Sequence, residues 1–144
     1  MQLEASFICD DIRTEEGHKI SLMGIYDKGL LLPQIPARLA KLCLYQRWSG
    51  VPIGTKLEVE LRGSAVAKSV RAQGIAQSGV DISAGTRPHG SAVVDSNLLM
   101  VFAPVDIAAA GEIEFLTFWD GRSSPDHRHT IQILKSPPEQ SPVH

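Results

Sequence analysis

The stretch FICDDIRTEEGHKISLMGIY, residues 7–26, decides the fold class. It reads as two β-strands joined by a charged turn. Taken back to residue 3, the first strand alternates. Leu3, Ala5, Phe7 and Cys9 fall on one side and Glu4, Ser6 and Ile8 on the other, the period of a strand with one buried face. Residues 19–26 repeat the pattern, with Ile20, Leu22 and Tyr26 opposing Ser21, Met23 and Ile25. Both sides of this second strand carry apolar residues, which predicts a central strand. Between the two lies Arg13-Thr14-Glu15-Glu16-Gly17-His18, a short polar loop containing glycine and therefore a hairpin signal.

Outward from this hairpin, β signals continue. Residues 29–33 form a brief apolar run closed by Pro33; with Pro36 close behind, a central strand is excluded there. Pro36 can start one helical turn at most within residues 37–44, followed by a strand to Trp48. Residues 55–62 are the cleanest strand: Leu57, Val59 and Leu61 alternate with Lys56, Glu58, Glu60 and Arg62, which predicts one packed face and one solvated face. Residues 64–77 suit helix or strand by pattern, and their neighbours favour strand. Residues 79–91, rich in Gly, Ser and Pro, read as loop. Residues 98–103 are a continuous apolar run closed by Pro104, the mark of a buried strand. Residues 113–119 and 130–134 flank Asp120-Gly121-Arg122-Ser123-Ser124-Pro125 as a second hairpin with a longer loop. Seven or eight short strands with little helical pattern predict a mainly β fold, an antiparallel β-sandwich, with a small closed β-barrel as runner-up. Residues 1–135 form one domain in this reading, and residues 136–144, proline-rich and aperiodic, a disordered tail.

Composition bounds the function classes. The chain has 144 residues, 43% hydrophobic and 21% charged, which suits one globular domain with a hydrophobic core. Net charge is −2, so there is no basic excess to draw nucleic acid. Glu4, Asp10, Asp11 and Arg13 interrupt what would have to be an apolar export signal. No run approaches the roughly 18 apolar residues of a membrane span. The expectation is a cytoplasmic protein without membrane contact. Cys9 and Cys43 sit in apolar runs, where reduced cysteine behaves as a small hydrophobe.

The opening resembles an uncharacterised family of small, mostly bacterial proteins. The residues that carry the likeness are Cys9, Asp10, Asp11, Ile12 and Arg13, then Lys19, Ser21, Leu22, Gly24 and Tyr26. Pro33, Pro36, Lys41, Leu42 and Cys43 extend it over roughly the first third of the chain. The family has no established activity, so the resemblance implies a β-rich fold and a bacterial source and assigns no site residue.

Candidate chemistry is sparse. Asp10 and Asp11 are neighbours on a strand and point to opposite faces, so they do not make a convergent carboxylate pair. His127 and His129, two apart, share a face if extended and can begin a zinc or copper site, with Asp120, His18 or His89 as a third ligand. The bland alternative is a solvated hairpin edge. No Cys-x-x-Cys, Walker loop, dinucleotide fingerprint or nucleophile elbow is present, and no cofactor is expected. Trp48 and Trp119 each stand at a strand end, where they cap a core or anchor a partner. The first expectation is a non-enzymatic protein-interaction or structural module, as a homodimer or with a protein partner. The alternatives are a metal-binding domain built on His127 and His129, and a small-molecule-binding module.

Overall fold

The computed structural model describes residues 1–17, 19–75 and 93–137. Among these residues there are eleven strands and no helix. In chain order they are β1 (Gln2–Glu15), β2 (Lys19–Tyr26), β3 (Gly29–Leu32), β4 (Ala37–Leu39), β5 (Leu42–Pro52), β6 (Lys56–Arg62), β7 (Val70–Ile75), β8 (Val93–Phe102), β9 (Val105–Ile107), β10 (Gly111–Trp119) and β11 (His127–Lys135). They assemble into a four-stranded sheet, β2-β1-β5-β8, a five-stranded sheet, β3-β11-β10-β6-β7, and a small pair, β4-β9. Every pairing is antiparallel except β3 with β11. Neither large sheet closes on itself, so the architecture is sandwich-like and not a barrel.

The core lies between the two large sheets. Ile8, Leu44 and Met100 form one rung of the four-stranded sheet's inner face, with Leu42 and Phe102 beside it. Leu57, Val59 and Leu61 on β6, Ile113 and Phe115 on β10, and Ile131 and Ile133 on β11 face them. Val59, Phe115 and Ile131 are wholly removed from water. Each such side chain contributes about 1.5–3 kcal/mol of transfer free energy, which is what holds the layers together. At the end of β6 the chain passes tightly over β10. Gly63 (φ 138°) has no room for a Cβ, which would collide with the carbonyl oxygen of Glu112.

The hairpin residues of the opening motif explain one another. Asp10 stands opposite Gly24 (φ 66°), and a Cβ at residue 24 would strike the Asp10 carboxylate. The Tyr26 hydroxyl donates to that carboxylate. Asp11 points to the other face. There it accepts the Lys41 ammonium at 2.5 Å and the backbone N–H of Ile12 at 3.0 Å, and the Lys41 hydrogen bond holds its carboxyl below the usual range. The two aspartates thus diverge, as adjacent strand residues must, and each fastens β1 to a different neighbour.

Several expectations need correction. Eleven strands form where seven or eight were expected, because β3, β4 and β9 are short pieces of three or four residues. β4 replaces the expected helical turn: Ala37–Leu39 is held extended by its ladder to β9 and by the Arg38–Asp106 ion pair. The first strand changes face. A bulge between Leu3 and Ala5 shifts the register against β5, so Leu3 packs inward, Phe7 turns outward and Ile8 takes the inner position. β2 is an edge strand and not a central one, and β8 is the opposite edge. The expected loop at residues 79–91 lies outside the described residues. So does most of the expected tail; of its described part, Ser136 donates its N–H to Leu32 at 2.8 Å.

Candidate functional site

The outer faces of the two large sheets differ in kind. On the five-stranded sheet the outward side chains are mostly charged and matched. Arg71 reaches Glu58 and Glu60 at 2.8 Å each, and its guanidinium lies 5.7 Å from the centre of the Phe118 ring. Arg62 and Arg128 share Glu114 at 3.3 and 3.6 Å. Arg122 pairs with Asp126 at 2.7 Å. Leu116 and Phe118 also point outward from this sheet, yet they are buried. The arginine stems and the β10–β11 loop cover them, as long cationic side chains do over apolar surface. A cleft of about 450 Å³ remains above them, lined by Glu58, Glu60, Arg71, Phe118, Arg122 and other residues. Its charged walls are tied to one another, and it is not the apolar concavity that a small-molecule site requires.

The four-stranded sheet is the reverse. Cross-strand register places Ile25, Cys9, Cys43 and Val101 in one outward rung, with Phe7, Tyr45 and Leu99 in the next and Met23 beyond Ile25. Ile25 is 52% exposed and Val101 57%, and Met23, Phe7 and Leu99 are exposed as well. The two cysteines between them are sealed, 0% exposed, below their larger neighbours. Burial pushes the Cys9 thiol up to about 11, and Cys43 alongside adds to the shift; burial raises Cys43 too. Both are free thiols. No charged residue stands within these two rungs. Charge flanks them, with Asp11, Lys41 and Arg13 at one end, Arg47 at the other, and Asp27 just past β2 at the register position beside Phe7. Scattered apolar residues on a surface mean little; these are contiguous across neighbouring strands.

The residues singled out from sequence are placed as follows. Trp48 and Trp119 are 4% and 2% exposed and cross edge to face, with ring centroids 5.3 Å apart. Of the two roles expected for them, capping the core is the one their burial fits. They face inward from β5 and β10, and the exposed aromatic surface falls to Phe7 and Tyr45. His127 and His129 also turn inward, at the end of β11, with ring centroids 6.3 Å apart. The His129 Nδ1 shares a hydrogen bond of 2.7 Å with the Ser6 hydroxyl. Burial lowers the basicity of both rings. No third ligand joins them among the described residues. Asp120 accepts the N–H of Lys56, and His18 and His89 lie outside the described residues.

Ser6 and His129 belong to a polar seam that sequence did not disclose. Gln46, fully buried, donates to Ser6 at 3.2 Å and accepts from the Trp48 indole at 3.0 Å and the Thr117 hydroxyl at 2.9 Å. The seam ties β1, β5, β10 and β11 together across the sandwich. A serine hydroxyl against a neutral imidazole suits a nucleophile and its base. Ser6 accepts from the Gln46 amide, which leaves its hydroxyl proton directed to the His129 Nδ1. The network is buried at Gln46 and Thr117 and half-buried at Ser6 and His129.

The chain belongs to a family of unknown function (DUF6941), whose model matches residues 4–133. The likeness carried by the opening motif therefore extends over most of the chain. No curated protein matches it. Among the described residues no helix is long and apolar enough to cross a membrane.

Proposed function

We propose that this domain is a non-enzymatic protein-interaction module that docks through the outer face of its four-stranded sheet. One observation carries the reading. Within a single sandwich, one outer face covers Leu116 and Phe118 with arginines and a loop and, among the described residues, leaves apolar side chains in water only at its β3–β11 edge, Leu31 and Leu134, whereas the other leaves Met23, Ile25, Phe7, Leu99 and Val101 in water across the sheet. Exposing apolar area costs about 25 cal/mol per Å², so a face of this kind gains free energy when a partner covers it. The free, sealed thiols at its centre support a reducing compartment, hence the cytoplasm.

The test is site-specific photo-crosslinking in the producing cells. A photoreactive phenylalanine analogue is placed at Val101, at Ile25, or on the opposite face at Gln132 as control. The expected result is a discrete protein adduct from positions 101 and 25 and none from 132. Adducts from no position, or equally from all three, would overturn the reading.

A further inference from the structure

We infer that the occupant of this face is a second copy of the same chain, packed sheet against sheet as a two-fold dimer. The inference rests on the docking role proposed above and specifies its partner. Three features of the face support it.

The first is size. Four strands spaced about 4.8 Å apart, over seven residues of β1 at about 3.4 Å each, span roughly 19 by 24 Å, or roughly 450 Å² per copy in projection. Two copies then cover roughly 900 Å² before the relief of the side chains is counted. A specific interface needs about 1,000 Å² in total. The face, its charged end rungs included, lies just under that bound, which is the range of a weak, reversible dimer and not of an obligate one.

The second is charge. A two-fold interface sets a patch against itself, so any fixed charge at its centre meets its own copy. The central rungs carry Ile25, Cys9, Cys43, Val101, Phe7, Tyr45 and Leu99 and no charge, which removes that penalty. The five-stranded sheet presents the opposite case. Its outer face could pair with a copy only by desolvating the Arg71–Glu58–Glu60 and Arg62–Glu114–Arg128 groups.

The third is packing chemistry. Sheets stack about 10 Å apart with interdigitating aliphatic and aromatic side chains. The outer residues of β2, β1, β5 and β8 are the same kinds that fill the domain's own core between its two sheets. With the cysteines sealed at 0% exposure, the surface has a closed floor between its larger side chains.

Sedimentation velocity and native mass spectrometry of the full chain, from about 1 to 200 µM, test the inference. The expected result is reversible doubling of the 15.6 kDa mass. Val101→Glu and Ile25→Asp alter exposed positions, so the fold should survive, as circular dichroism will report. Each places two like charges in the interface and should weaken self-association at least ~100-fold. Gln132→Glu on the other face should leave it unchanged. A wild-type chain that stays monomeric throughout, or a dimer insensitive to both face variants, would overturn the inference. The crosslinking experiment separates the two levels. A monomer whose position 101 captures a different protein removes the second copy and keeps the docking face. A monomer with no adduct at all removes both.

Discussion

Replacing Gln46 by leucine tests whether the buried polar seam stabilises the sandwich. The amide is fully enclosed and serves three partners: it accepts from Trp48 and Thr117 and donates to Ser6. Leucine fills similar volume but leaves the Trp48 N–H and the Thr117 O–H as buried donors without acceptors. Each orphan costs about 1–3 kcal/mol, roughly 2–6 kcal/mol together. The added apolar burial returns about 1–2 kcal/mol. A net loss of about 1–4 kcal/mol follows, which for a chain of this size lowers Tm by about 3–15 °C. Urea unfolding followed by tryptophan emission suits the measurement, because both indoles are buried and in mutual contact. Thr117→Val in the Gln46→Leu background removes one of the two orphans and should recover about 1 kcal/mol, whereas Thr117→Val alone should destabilise. A Gln46→Leu protein as stable as wild type, or one that Thr117→Val weakens further, would refute the reasoning.

Two further outcomes follow from burial. Cys9 and Cys43 should resist alkylation at pH 8 in the folded protein and react together in denaturant, since Cys9 is raised to about 11 by burial and both are sealed; intact-mass adducts appearing within minutes under native conditions would contradict this. His127 and His129 are held below their ordinary 6.5 by burial, so below that pH the unfolded chain binds more protons than the folded one. Stability should be fully present well above about 6.5 and fall as pH drops from about 6.5 to 5, with His129→Gln flattening part of the slope. Asp11 and Asp106, held below 3.8 by Lys41 and Arg38, lose their contribution only at lower pH. A urea midpoint that is level or rises toward pH 5 would exclude the histidine contribution.

Much of the strand pattern was legible because alternation and turn chemistry are local. β6 reads directly from Leu57, Val59 and Leu61 against its charged neighbours, and the β10–β11 hairpin from its Asp-Gly turn. What escaped depends on partners distant in sequence. The bulge after Leu3 is a register shift against β5, some forty residues away, and nothing within residues 3–9 marks it. β4 became a strand because β9 pairs with it, a contact that helix and strand propensities at residues 37–44 cannot report. The polar seam likewise joins residues 6, 46, 117 and 129, none of which is distinctive alone.

The apolar outer face proposed to dock was visible in the sequence, but under another meaning. Residues 19–26 and 98–103 carry apolar side chains on both sides, and a two-sided apolar strand ordinarily sits inside a sheet covered on both faces. Here both segments are edge strands of one sheet, with only one face covered by the domain. The surplus on the other side, Met23 and Ile25 on β2 and Leu99 and Val101 on β8, has no use in the domain's own core. The same surplus runs through β1 and β5 at Phe7, Cys9, Cys43 and Tyr45, in register with the edges. A mismatch on one strand could be incidental. Four adjacent strands share it on the same face, whereas the opposite sheet screens its outward Leu116 and Phe118 and, among the described residues, leaves only its edge pair Leu31 and Leu134 in water, and that contrast is what the docking proposal rests on.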